Sequence, residues 1–158
     1  MFPFCRGKSR RGVGRREALA LAMTAQEIAA FLSAEFPQVA DEMVLDRLDD
    51  STLHLRLAVS DRHLRPGGTV SGPSIFGLAD VAVYLAILAR IGPVALAVTT
   101  SATIDFLRKP APHSDLRAEV RVLKLGRVLA VADALIFSVG MAEPVARASL
   151  TYSIPPAR

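Results

Sequence analysis

Between Gly72 and Gly92 the apolar positions keep to no single stripe. Ile75, Phe76, Leu78, Val81, Val83, Leu85, Ile87 and Leu88 go right round a helical wheel, the pattern of a helix buried on every side. Pro73 suits the first turn, because its fixed φ and missing N–H cost nothing there. Gly92-Pro93 closes the helix. One carboxylate, Asp80, stands in the middle of this apolar segment. A buried charge is expensive unless it is paired, neutralised or used, so Asp80 is the first candidate for chemistry.

The flanking pattern is simpler. Thr24 followed by Glu27 is a capping box, and Ile28, Phe31, Leu32 and Phe36 give the apolar face of a short helix over 24–36 that Pro37 ends. Residues 43–48 and 52–59 read as two strands of a hairpin around Asp49-Asp50-Ser51, with Leu53, Leu55, Leu57 and Val59 on one face. Residues 60–71 form a Gly/Pro/Ser-rich loop, a common place for binding groups. Beyond Pro93 four strands are predicted. Over 94–107, Val98, Thr100, Ala102, Ile104 and Phe106 oppose Thr99, Ser101, Thr103 and Asp105. Over 116–125, Ala118, Val120 and Val122 face inward. Residues 128–139 are apolar on both faces apart from Asp133, which predicts a central strand covered on both sides. Over 145–154, Ala146, Ala148, Leu150, Tyr152 and Ile154 face inward. Helix, two strands, one buried helix and four strands make an α+β layout in which an antiparallel sheet wraps the central helix.

Composition narrows the class. The 158 residues suffice for one domain with a real core. One cysteine, Cys5, excludes a disulfide framework and argues against a cysteine metal site; a reducing compartment fits. The net charge of +4 is carried by the N-terminus, because residues 1–22 hold six basic residues and one acid while the remainder is close to neutral. The body therefore gives no electrostatic reason to expect nucleic acid. Residues 1–22 read as a disordered basic leader ahead of Met23, with contact to a phosphate backbone or an anionic membrane, or an organelle transit peptide, as the other readings, and 23–158 read as a single domain. The longest apolar run, 75–89, falls short of the ~20 residues of a membrane span and contains Asp80. His54, His63 and His113 show no ligand spacing, so no metal is assigned.

Four pieces of the chain carry a resemblance: SGPSIFGLADVA (71–82), TTSATIDFLRKPA (99–111), LGR (125–127) and ASLTY (148–152). Together, over roughly 43–154, they resemble the phenylacetyl-CoA thioesterase-like branch of the hotdog-fold thioesterases, related to the 4-hydroxybenzoyl-CoA thioesterases. Members of that branch carry a His-Gly-Gly helix start, an Ala-Asp inside the helix, a strand ending Ile-Asp-Phe-Leu-Arg and a closing Ala-x-x-x-Tyr-like strand.

The resemblance implies hydrolysis of an acyl-CoA thioester to free acid and CoA, without metal or redox cofactor. Asp80 takes the place of the nucleophile or general base, which suits an activated acyl group. Gly72 takes the place of the backbone N–H donor to the thioester oxygen, and a helix N-terminus suits an oxyanion. Thr99 matches a strand hydroxyl that positions water, with Thr100 beside it. Asp105 reads as structural. The resemblance also implies a cytoplasmic homodimer or homotetramer whose site lies between subunits, with Asp80 from one chain and the helix-start amide from its neighbour. Neither nucleic acid nor membrane is expected as a partner.

Two positions depart from the family pattern. Ser71 stands where the motif His is expected, and can cap the helix or bond a ligand. Arg65 stands where an Asn often touches the thioester, and could polarise the carbonyl or bind a CoA phosphate. These departures keep a non-catalytic acyl-CoA-binding module open as an alternative. A hotdog dehydratase or hydratase ranks lower, because no His lies on the helix or its first turn. A nucleic-acid role for the basic arm ranks last.

Overall fold

The computed structural model describes residues 20–156; most of the basic arm lies outside the described residues. Within them, Leu21 packs against the core, and the N–H groups of Ala22 and Met23 donate to the Ala89 carbonyl at 2.7 and 3.1 Å.

Helix α1 (Ala25–Glu35) starts as its capping box requires. Thr24 Oγ1 accepts from the Glu27 N–H at 3.2 Å, and Glu27 Oε2 accepts from the Thr24 N–H at 2.8 Å. Ile28 and Leu32 point inward. Pro37 ends α1 and also opens a short second helix, α2 (Pro37–Ala40), as its fixed φ allows at a first helical position. That element was not expected from the pattern.

Six strands follow around a central helix: β1 (Met43–Leu48), β2 (Leu53–Leu57), α3 (Gly72–Ile91), β3 (Val98–Phe106), β4 (Leu116–Leu125), β5 (Leu129–Ser138) and β6 (Pro144–Ser153). They form one antiparallel sheet in the order β1-β2-β4-β5-β6-β3. Helix α3 packs against β2 through β6 and against α1. This is the expected hotdog arrangement. Leu78, Leu85, Ile87 and Leu88 are fully buried, each contributing about 1.5–3 kcal/mol relative to exposure. The strands beneath α3 present small side chains, Ala130, Ala132 and Ala134 on β5 and Ala146 and Ala148 on β6, which lets the helix lie close to the sheet. With 20 residues, α3 is long and apolar enough to cross a membrane by length and composition. The run-length argument from the sequence therefore does not decide the matter; the burial of α3 inside the sheet does.

Three expectations are corrected by the pairing. Strand β3 begins at Val98, because Val94–Ala97 form a turn closed by an Ala97 N–H to Val94 carbonyl bond of 3.0 Å. Strand β5 is central but covered on one face only, since Leu129 and Leu135 are 41% and 42% exposed on the other. The third correction concerns the facing of β3. Thr99 pairs with Tyr152, yet Ser101 pairs with Thr151 and Ala102 with Leu150. Thr100 is the extra residue of a β-bulge, which reverses the alternation beyond it. Thr99 therefore faces inward with Ala102, Ile104 and Phe106, and not with Asp105 as simple alternation would have it. Asp105 points outward and pairs with Arg147 Nε at 2.8 Å, consistent with its structural reading.

Candidate active site

The inward turn of Thr99 brings three side chains together from three elements. Thr99 Oγ1 donates to Asp80 Oδ1 at 2.6 Å, and the Tyr152 hydroxyl lies 2.7 Å from the same oxygen and 3.0 Å from the Asp80 carbonyl. Both side-chain bonds fall on Oδ1. Oδ2 has no hydrogen-bond partner among the described residues. Asp80 is half-buried rather than fully enclosed, because one side of it borders a cleft of about 310 Å³ between the end of α1, the middle of α3 and the start of β3.

The cleft has an aromatic floor. Tyr84 and Tyr152 stack with centroids 6.2 Å apart, and Phe31 packs on Tyr84 at 6.3 Å. Tyr84 is pinned by a 3.0 Å bond from its hydroxyl to the Ala95 carbonyl. Burial pushes the Tyr152 phenol well above its ordinary value; the Asp80 charge adds to this and a bond from Thr99 opposes it. Tyr152 is therefore a protonated donor throughout the physiological range. A carboxylate with one oxygen fixed by two hydroxyls and the other open to a cleft can attack an electrophile or take a proton from water.

The start of α3 is a separate region. Ser71 caps the helix, accepting from the Ser74 N–H at 3.4 Å and meeting the Ser74 hydroxyl at 2.9 Å. The Gly72 N–H makes no hydrogen bond among the described residues. A Cβ at Gly72 would lie 3.3 Å from the Phe106 ring, so the bare glycine lets that ring close over the helix start. Gly72 precedes Asp80 by eight residues, about 12 Å along the helix axis. Arg65 is exposed, in a tight turn where Gly67 and Gly68 take positive φ values of 96° and 77°, a conformation that suits glycine. Its side chain makes no ion pair among the described residues. Within one chain the structure thus unites Asp80 with Thr99, and places Ser71, Gly72 and Arg65 at a second location.

The sequence marks Tyr152 as an inward position and as the end of the ASLTY piece, without a role at the site. Its signal was its hydroxyl, since a buried tyrosine needs a polar partner. Among the described residues no group of three His, Cys, Asp or Glu side chains could hold a metal ion.

The thioesterase superfamily profile matches residues 67–145, half of the chain, spanning the helix start, Asp80 and Thr99. The chain belongs to the thioesterase superfamily. A crystal structure from a Silicibacter species, described as a candidate thioesterase, shares 53% identity over 89% of this chain and 97% of its own, with a TM-score of 0.83. A mutant of the phenylacetic acid degradation protein PaaI from Thermus thermophilus is 26% identical over 75% of this chain and 99% of its own, with a TM-score of 0.65. Zebrafish thioesterase superfamily member 2, at 19% identity over 85% and 100% of the two chains and a TM-score of 0.75, shares the fold. No curated protein matches the chain significantly.

Proposed function

We propose that this thioesterase-superfamily chain hydrolyses acyl-CoA thioesters to a free acid and CoA. The observation that carries the reading is the one-sided satisfaction of Asp80. Thr99 and Tyr152 hold Oδ1, which aims Oδ2 at the cleft. Oδ2 either attacks the thioester carbon, giving a mixed anhydride that water then hydrolyses to the free acid and the restored carboxylate, or removes a proton from a water that attacks that carbon. Either way the C–S bond breaks, CoA leaves as its thiol, and the acyl carbon gains one oxygen from water.

The oxyanion formed at the thioester oxygen needs a donor 2.7–3.1 Å away. The Gly72 N–H has the right chemistry but lies about 12 Å along the helix from Asp80. The reading therefore requires a homodimer or homotetramer, in which Asp80 of one chain meets Gly72 of another. The exposed β3 edge supports such an assembly, with Val98 and Phe106 each 55% exposed on it. Ser71 adjoins Gly72 and Arg65 lies in the loop seven residues before it, and both would meet substrate on that side. Neither metal nor redox cofactor has a part in this reaction, and we place it in the cytoplasm.

The second reading is an acyl-CoA-binding module without turnover. It is favoured by Ser71, whose Oγ is committed to capping and to Ser74. The deciding experiment is thiol release from short, medium, long and aryl acyl-CoAs by wild type and Asp80→Asn. Turnover by wild type that Asp80→Asn loses while remaining folded and oligomeric upholds hydrolysis. Binding without thiol release from any chain class replaces it with the binding module.

A further inference from the structure

We infer that His63 is a positioning residue for the start of α3, and through it for the Gly72 amide; the second step rests on the reading of Gly72 as oxyanion donor. His63 is only 6% exposed and lies in the short turn before the 64–70 loop. The Ser60 backbone N–H reaches its Nδ1 at 2.9 Å. A backbone N–H can only donate, so Nδ1 carries the lone pair and Nε2 carries the proton. Nε2 then donates to Glu42 Oε2 at 2.9 Å. Glu42 is itself fixed to the end of the hairpin, because its carbonyl accepts from the Ala58 N–H at 2.8 Å, and Arg62 pairs with its carboxylate. The imidazole is thus fastened by Nε2 to the residue that precedes β1 and by Nδ1 to the start of its own turn.

The carbonyl of the same residue faces the other way and holds α3. It accepts the Ser71 N–H at 2.8 Å and the Ser74 hydroxyl at 3.3 Å. Ser71 is the capping residue and the immediate neighbour of Gly72. Next to His63, Leu64 bridges to Val70 and closes the base of the loop that carries Arg65. One residue therefore ties the hairpin, the Arg65 loop and the peptide before Gly72 into a single unit. The direction of the Gly72 N–H depends on that tie, and a misplacement of about 1 Å at a catalytic group costs on the order of 100-fold in rate.

The test uses the full chain. Wild type, His63→Ala, Glu42→Met and Glu42→Gln are compared for thiol release and for backbone amide exchange by mass spectrometry. His63→Ala is expected to lower kcat by about 30- to 100-fold with KM within about 2-fold, since the acyl-CoA contacts remain while the donor is misaimed. Exchange over residues 64–76 should speed up about 10-fold or more, with β4 to β6 unchanged, because the affected bonds open locally. Glu42→Met, which removes the acceptor, should act in the same direction less strongly. Glu42→Gln keeps a carbonyl oxygen for Nε2 and should restore kcat to within about 3-fold of wild type. Unchanged kcat and exchange in His63→Ala overturns the inference, as does exchange that rises equally across the whole sheet. If His63→Ala does not fold, Glu42→Met decides by the same criteria. Should wild type release no thiol, the link to the oxyanion falls with the hydrolase reading, and local exchange alone decides whether His63 holds the helix start.

Discussion

Asp80 and Arg90 are two ionisable side chains set into one apolar helix, and they have opposite fates. Arg90 is enclosed, 8% exposed. Its Nη1 donates to the Ala86 carbonyl at 2.8 Å and its Nη2 to the Asp50 carbonyl at 3.1 Å. It sits in the last turn of α3, where a cation suits the helix dipole, and it ties that end to the β1–β2 turn. Burial lowers its pKa, and the charges of Asp50 and Asp49 oppose that shift. Asp80 is saturated on one oxygen only and borders a cleft. A buried cation tied to carbonyls on two elements holds the fold, even with its Nε unpartnered among the described residues; a carboxylate with one unpartnered oxygen beside open space is available for chemistry.

Crossed substitutions break or sharpen that contrast. The largest effect belongs to Asp80→Asn. Thiol release should fall by at least about 100-fold, the scale of a lost general base, while the urea midpoint moves little. A midpoint that drops sharply would make Asp80 a second Arg90. Arg90→Met should do the reverse, costing about 1–3 kcal/mol of stability by removing the charged-group hydrogen bonds that tie the end of α3 to the β1–β2 turn, with kcat unchanged in the surviving folded protein. Urea unfolding and thiol release on the same samples read both halves.

Smaller effects fall on the hydroxyls that hold Oδ1. Thr99→Val and Tyr152→Phe should each lower kcat by about 10-fold, since each removes one hydrogen bond to a charged group. A KM-only change would place these residues in substrate binding instead. The smallest effect is optical. The chain has two tyrosines and no tryptophan, and burial raises the pKa of both, with the Glu35 charge adding to the shift at Tyr84. A phenol whose folded pKa exceeds its unfolded value of about 10 contributes stability below that pH, and the contribution is lost as pH rises through the folded value. Tyrosinate absorbance should therefore stay low through about pH 10 and rise together with alkaline unfolding. A separate rise near the ordinary value, before unfolding, would show an open Tyr152.

The elements most legible in the sequence are those specified by neighbours close in the chain. Thr24 and Glu27 announce α1, Pro73 and Gly92 bound α3, and the all-round apolar pattern of α3 requires the surrounding sheet. Asp80 is legible because it is the lone acid on that helix. What escaped reading depends on partners distant in the chain. Nothing local in Thr99-Thr100-Ser101 says which residue leaves the ladder, so simple alternation turns Thr99 the wrong way. The outer face of β5 looks buried from its leucines alone, because no rule of spacing shows whether a layer lies over it. Tyr152 and His63 become visible as polar anchors only when Asp80, Glu42 and Ser60 are brought beside them.

The bulge at Thr100 divides β3 into two independently phased pieces. Upstream of it, the parity of the strand serves the carboxylate; downstream, it serves the sheet edge from Ala102 to Phe106. Deleting Thr100 would rejoin the phases and force a choice, turning either Thr99 away from Asp80 or Ala102, Ile104 and Phe106 away from the sheet face they share with Leu150, Ala148 and Ala146. The extra residue lets a single strand set Thr99 against Asp80 at one end and keep Ile104 and Phe106 on the same face at the other.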